Sequence, residues 1–462
     1  MHALFMLLAL QLAPTPAPTQ LPYPAYGTPA PGAAQQQPAP GVPQQVSLSQ
    51  AIAIAVAKSP VLAAARANRE LTQIPVEAAR TAIFPNISGT GTLTQTTRYG
   101  GSTATPPPGS TGTFGNSTVT KGLNATLRQL IYDGGRVIAQ IHQARASAVA
   151  GADTYERSLE TLAFNVAQAY YGVLQARATT QLDVQVVNQN VVQENLVRAQ
   201  LAAGTASRVD LATAQLPTAQ ARVALVRQQG VELAAEATFA ATLGLNPDAL
   251  VGPQNGPADM QTSSAVAILP YDQAVTRALA LRPDYHAAQE STLAAQYNVQ
   301  VQRSGLLPSL TGSASYGTNS TNAAGSNFQP SSTVGVTLSV PVFDQGLTRA
   351  NTRIAQAQLD LANAQTEQSR LTVETDVRQA VVGLVSAQAA VAQAQAELAK
   401  AQEILRATQA QYRAGVTTLP LLLNAQVGLT TAETDQVNAL YGLRQAEQTY
   451  IYALGESDLR SY

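Results

Sequence analysis

From Val377 to Leu405 the apolar positions fall three, four, three, four apart: Val377, Ala380, Leu384, Ala387, Val391, Ala394, Leu398, Ala401 and Leu405. That spacing lays one apolar stripe along a helix, and the alternation of large with small residues lets neighbouring helices approach closely. The stripe predicts a helix from about Leu347 to Ala414, roughly 100 Å long at 1.5 Å per residue. Gly415 ends it, since glycine most easily takes the left-handed conformation that closes a helix. A return helix carries Ala425, Leu429, Ala432, Gln436, Ala439, Leu443, Ala446 and Tyr450 on its own seam. An earlier stretch does nearly the same through Ile141, Ala144, Ala148, Ala152, Tyr155, Leu159, Leu162, Val166, Ala169 and Val173, and Ala-Ala-Gly at 202–204 ends that helix.

Elsewhere the period is two. Val334, Val336, Leu338, Val340 and Val342 alternate with Thr333, Gly335, Thr337, Ser339 and Pro341. Leu310, Ala314 and Tyr316 alternate with Thr311, Ser313 and Ser315, and Val119, Leu123, Ala125 and Leu127 alternate with threonines and Asn124. These are strands with one apolar face and one hydroxyl-rich face, paired as two β-hairpins over 86–132 and 309–343. Polar, Gly-rich loops at 100–112 and 321–327 join the strands of each pair.

The two halves are copies. QAIAIAVAKSP (50–60) aligns with QAVTRALALRP (273–283), and IFPNISGTGT (83–92) with LLPSLTGSAS (306–315), at one offset (283 − 60 = 308 − 85 = 223). Beyond the hairpins the offset is 344 − 133 = 415 − 204 = 211, so the copies differ in length only within the hairpin segment. The copies span 46–250 and 270–462 around a linker at 251–269, with helical turns near 204 and 415. Each copy hands over from strand to long helix at a matching joint, LIYDGGR (130–136) and VPVFDQGLTR (340–349). Asp133 and Asp344 suit helix capping there, and Gly134 and Gly346 permit the change of direction, a purely structural role.

Composition narrows the reading. The chain is 45% hydrophobic but only 12% charged, about half the usual charged share of ~25%. A formal net charge of −1 gives no electrostatic reason to bind nucleic acid. With no cysteine there is no disulfide and no thiolate metal site. His2, His142 and His286 are the only histidines, in unrelated contexts, and no hydrolase, nucleotide-binding or zinc-protease motif occurs. No catalytic residue, metal site or cofactor is therefore assigned. Residues 1–17 have the apolar core of an export signal, and the proline-rich stretch 18–45 reads as a disordered tether. An exported coiled-coil fibre or adhesin would account for the heptads, but not for hairpins at the same point of each copy.

Four amphipathic strands cannot close a membrane barrel, which needs about eight, so several chains must share one. The chain from about Val46 to Tyr462 resembles the TolC-type outer-membrane efflux ducts, through its two proline-containing helix-to-strand passages, its two strand-to-helix joints, and its paired AG turns. The resemblance implies a homotrimer with a 12-stranded barrel in outer-membrane lipid and an α-helical barrel in the periplasm. It implies a passive exit duct that docks a periplasmic adaptor and an inner-membrane pump of RND, ABC or MFS type. By the same resemblance the adaptor docks around Gly204, Thr205, Gly415 and Val416. Asp210 and Tyr412 match the carboxylate and tyrosine that lock the tip, Thr417 stands where an arginine is expected, and Leu421 and Asn424 occupy the acidic ring of the entrance.

Overall fold

The computed structural model describes residues 44–98, 116–249, 251–254, 267–321 and 328–456. The expected signal segment, the tether up to residue 43, residues 99–115 and 322–327 between the strands, and residues 255–266 of the linker lie outside them. The chain divides into units 1–42 and 43–462, and every described residue belongs to the second.

A short strand, β1 (Gln44–Val46), leads into α1 (Leu48–Lys58) and α2 (Pro60–Thr81), then β2 (Asn86–Arg98), β3 (Asn116–Tyr132), α3 (Arg136–Ala202) and α4 (Arg208–Thr242). After β4 (Val251–Pro253) the same order of helices and strands follows: α5 (Tyr271–Leu281), α6 (Pro283–Arg303), β5 (Ser309–Thr321), β6 (Gln329–Ser339), α7 (Leu347–Arg413) and α8 (Leu419–Leu454). Prolines 60 and 283 open α2 and α6, where a missing N–H costs nothing. Among the described residues no single helix is long and apolar enough to cross a membrane.

Strands β2, β3, β5 and β6 form one antiparallel sheet in that order. Its register lines up Ile87, Leu127, Ala314 and Val334 across all four strands, so the apolar face is continuous. Threonine, serine and asparagine occupy the other face, with Thr92 and Asn319 crowding Gly122 too closely for a Cβ. Strand β6 stops at Ser339, short of the expected 343. Pro341 has no N–H to donate to a ladder, so the alternation of Val340 and Val342 continues past the end of the pairing.

Two segments expected to be irregular are paired. Gln44 and Gln45, read as tether, and Val251–Pro253, read as linker, form a parallel two-stranded sheet. Three-residue strands carry no periodicity, so pattern could not reveal them. The Arg177 guanidinium fixes this sheet by donating to the Pro253 carbonyl (3.3 Å) and to Glu236.

The helices pack as open layers. Near the sheet α2, α3, α6 and α7 are neighbours in that order, and α4, α3, α8 and α7 towards the far end. The α7 seam faces inwards: Val377 and Leu384 are fully buried and Leu405 nearly so. Helix α3 buries more than its seam, including Ala146, Ala150, Ala163, Ala167 and Tyr170, because four long helices of its own chain surround it.

The halves meet at an ionic knot. Arg282, only 2% exposed, donates to Asp376 on α7 (2.9 Å) and, bidentately, to Asp284 (3.0 and 2.6 Å). Arg157 of α3 lies 3.5 Å from Asp284 and 3.8 Å over the Tyr452 ring of α8. Gly455, left-handed at φ 71°, makes room for Arg282, and Gly244, 211 residues earlier (455 − 244 = 211), does so for the Lys58 carbonyl. Side chains at either glycine would collide with the α1–α2 or α5–α6 joint.

Candidate functional site

The ends of the helical hairpins farthest from the sheet are two turns built alike. Gly204 and Gly415 have φ of 78° and 72°. At the first turn the N–H of Thr205 donates to the Gln200 carbonyl (2.9 Å) and that of Gly204 to Leu201 (3.0 Å). At the second, Val416 donates to Gln411 (2.9 Å) and Gly415 to Tyr412 (3.0 Å). Both are left-handed helix closures that satisfy the orphaned last carbonyls. Gly204, Thr205, Gly415 and Val416 all lie exposed at the apex.

Side chains distinguish the turns. The Thr205 hydroxyl also donates to the Gln200 carbonyl (3.0 Å). Ser207 caps α4 by accepting from the Asp210 N–H, while Asp210 accepts from the Ser207 N–H and hydroxyl (both 2.8 Å). These bonds from Ser207 hold the Asp210 carboxyl below its ordinary value. Thr418, at the same place before α8, makes no side-chain cap. The first turn is thus pinned by side chains where the second relies on backbone alone.

Within the chain Asp210 and Tyr412 bond to other partners: Asp210 accepts from Ser207, and the Tyr412 hydroxyl donates to Gln200 Oε1 of α3 (3.4 Å). The Tyr412 ring packs in two apolar clusters, with Val197, Ala214 and Leu419 and with Leu405, Leu422 and Leu429, so it joins the two hairpins. Leu421 and Asn424 project from the first turns of α8 and are exposed. Gln200 was missing from the expected site, and its pairing across 212 residues leaves no local signal. Ser207 was legible, since Ser-x-x-Asp is a capping box.

At the opposite ends of α3 and α7 lie the strand-to-helix joints. Asp133 accepts from the N–H groups of Gly135 (3.1 Å) and Val137 (2.8 Å), and Asp344 from those of Gly346 (3.0 Å) and Thr348 (2.8 Å). Gly134 and Gly135 are both left-handed, and their counterparts are Gln345 (φ 58°) and Gly346. Gly346 therefore corresponds to Gly135 and not to the expected Gly134. Gly134 lies against Leu307, the residue before the proline of the second helix-to-strand passage. Neither histidine of the helices is free: His142 stacks on Tyr297, and His286 bonds the Ala280 carbonyl. Among the described residues no three potential ligands converge to hold a metal ion.

A four-stranded sheet with one apolar face, entered by helices of 22 and 21 residues and left by two of 67 residues, roughly 100 Å long, defines an outer-membrane channel of the TolC-like class. The family model described as outer membrane efflux protein matches residues 51–245 and 274–456, and the chain belongs to that family. It is 28% identical over 433 residues to the outer membrane efflux protein BepC of Brucella suis, covering 88% of this chain and 84% of that protein. It is 27% identical to the toluene efflux pump outer membrane protein TtgC of Pseudomonas putida, covering 87% and 81%. The CmeC outer membrane channel of Campylobacter jejuni has the same fold, with a TM-score of 0.76 at 18% identity over 90% of this chain and 87% of that one. The protein is an outer-membrane efflux channel, and its fold and family are those of channels rather than enzymes.

Proposed function

We propose that three copies of this chain assemble into one continuous exit duct, a β-barrel in the outer membrane prolonged by an α-helical barrel through the periplasm. The observation that carries this reading is the four-stranded sheet, in which β2 and β6 each have a neighbour on one side only. In lipid an open edge leaves backbone groups without partners. Two chains would give eight strands, a barrel whose interior side chains fill it. Three give 3 × 4 = 12 and leave a lumen lined by the hydroxyl face. The helical layers support the same closure. Exposed stripes seven residues apart run along α4 (Val209, Leu216, Val223) and α7 (Leu347, Ile354, Leu361), the two open flanks.

On this reading the tandem copies at 46–250 and 270–462 are a structural duplication, with 251–269 as linker, 1–17 as leader and 18–45 as tether. The duct is passive and serves a tripartite pump. Its adaptor docks around Gly204, Thr205, Gly415 and Val416, and the tip opens by movement of the α7–α8 hairpin. The weaker capping of α8 and the length of the Tyr412–Gln200 bond (3.4 Å) support that choice of moving part. Three copies of Leu421 and Asn424 form an apolar and amide constriction that excludes ions by poor solvation. Mass measurement in mild detergent should give three times the 48.1 kDa chain, less any leader removed. A stable monomer or dimer overturns the assembly.

A further inference from the structure

Between the end of α6 and the start of α7, beside Gly134, lies a cavity of about 710 Å³. Its lining includes Arg303, Arg349, Arg353, Gln300, Leu306 and Leu307. The volume falls within the ordinary range of ligand sites. Among the described residues these three arginines have no carboxylate partner, whereas Arg157, Arg177, Arg282, Arg370 and Arg444 all do. The cluster is not a requirement of the repeated architecture either. Ile138 and His142 stand in the first copy where Arg349 and Arg353 stand in the second (349 − 138 = 353 − 142 = 211). An unneutralised charge of three around an apolar floor calls for an anionic amphiphile.

Location says which. Arg303 is the last residue of α6, and Arg349 is the third of α7. The pairing of β5 with β6 ends at Ser309–Ser339, on the same side of the sheet as these arginines. In a chain set in the outer membrane, that is the level of the periplasmic-side lipid phosphates. Guanidinium groups bind phosphate bidentately, and their long stems let the charge reach the headgroup plane while the leucines below stay apolar. Leu306 and Leu307 are each about half exposed, at 49% and 46%. We propose that this cavity binds an anionic phospholipid, its headgroup phosphate on Arg303, Arg349 and Arg353 and an acyl chain along Leu306 and Leu307. The proposal rests on the outer-membrane placement of the sheet but not on the number of chains in the barrel.

Full-length protein in neutral detergent, titrated by native mass spectrometry, tests it with three probes: phosphatidylglycerol, phosphatidylcholine of the same acyl chains, and inorganic phosphate. Phosphatidylglycerol should be retained in preference to phosphatidylcholine. Arg349→Ala should weaken it about fivefold, and Arg349→Ala with Arg353→Ala about 25-fold, as expected when anion-facing cations are removed one by one. Should the alanine pair fail to assemble, Arg349→Lys with Arg353→Lys keeps the charge but loses the planar fork and should still bind several-fold more weakly. Leu306→Ser should weaken the lipid and leave phosphate binding alone. Arg406→Ala, on the exposed far part of α7, should change nothing. Equal retention of both lipids, indifference to the arginine substitutions, or displacement of the lipid by equimolar inorganic phosphate would overturn the proposal. The same spectra report the oligomer, so failure of the trimer reading shows separately.

Discussion

Replacing Gly134 by alanine should loosen the start of α3 by about 3 kcal/mol, the sum of two separable costs. The backbone at φ 70° is left-handed, which costs an alanine about 1 kcal/mol. The new Cβ would also stand 2.6 Å from the Leu307 Cβ and 3.0 Å from its Cδ1. Leu307 must therefore shift, and overpacking of that kind costs about 1–3 kcal/mol. Gly135, at φ 83° with nothing within 4 Å of an added Cβ, carries only the first cost, so Gly135→Ala should lose about 1 kcal/mol. Hydrogen exchange of the first turn of α3 reads both, because the Val137 N–H is protected by Asp133 (2.8 Å). At 1.36 kcal/mol per decade, opening should rise about 150-fold for Gly134→Ala and about fivefold for Gly135→Ala. A double-mutant cycle isolates the contact: in a Leu307→Ala background Gly134→Ala should cost only the backbone share. Equal exchange for the two alanine variants, or no relief from Leu307→Ala, would refute the reasoning.

The remaining expectations concern the knot and the tip. Arg282→Met leaves Asp376 without its arginine and Asp284 with Arg157 at 3.5 Å; Asp284 and Asp376 are 33% and 41% exposed, which moderates the usual penalty for an orphaned partner to about 3 kcal/mol. The thermal midpoint in detergent should fall by about 3 °C for a chain of this size, and an unchanged midpoint would mean that the knot contributes nothing. The Asp210 carboxyl is held below its ordinary 3.8 by Ser207, so its support of α4 is complete above that value and is lost as pH falls through the lower, folded one. Exchange in the first turn of α4 should accordingly converge on that of Asp210→Ala in acid and separate from it at neutral pH; parallel profiles would remove Asp210 from the cap. Leu421→Asp should make planar-bilayer currents cation-selective, and unchanged selectivity would put the constriction elsewhere.

The long helices were legible because their stripes persist for tens of residues: Val377, Leu384 and Leu405 are buried where the spacing placed them. The constant offsets carry as much information, since they mark both joints and both turns. What pattern could not supply were pairings between residues far apart along the chain. Arg282 meets Asp376 across 94 residues, Tyr412 meets Gln200 across 212, and β1 meets β4 through three residues each. Gln345 was hidden for another reason. Its left-handed backbone is imposed by the joint, and glutamine gives no hint of it, whereas Gly134 at the equivalent place does. Gly244 and Gly455 could have been found: they stand 211 residues apart (455 − 244 = 211), each after a leucine near the end of its copy, in LGLN and LGES.

If three chains close one duct as proposed, the same offsets predict which residues meet across the open flanks. Within the chain, Leu307 of the second helix-to-strand passage packs on Gly134 of the first joint. Moving each back or forward by its copy's offset gives Phe84 (307 − 223) and Gln345 (134 + 211). These two lie on opposite flanks of the layer, one preceding β2 and the other preceding α7, so a chain cannot bring its own pair together. Phe84 is accordingly left 68% exposed. Closure by rotation would seat Phe84 of one chain on Gln345 of the next, repeating the Leu307–Gly134 contact at every interface. That contact is close enough for a disulfide after slight relaxation, since bridged Cβ atoms stand about 3.8 Å apart. The chain has no cysteine of its own, so Phe84→Cys with Gln345→Cys forms a clean reporter. Oxidation should link chains into trimers on denaturing gels, reversed by reductant, and neither single variant should pass the dimer. Monomers alone after oxidation, from a protein that runs as a trimer in mild detergent, would mean that the flanks meet in some other register.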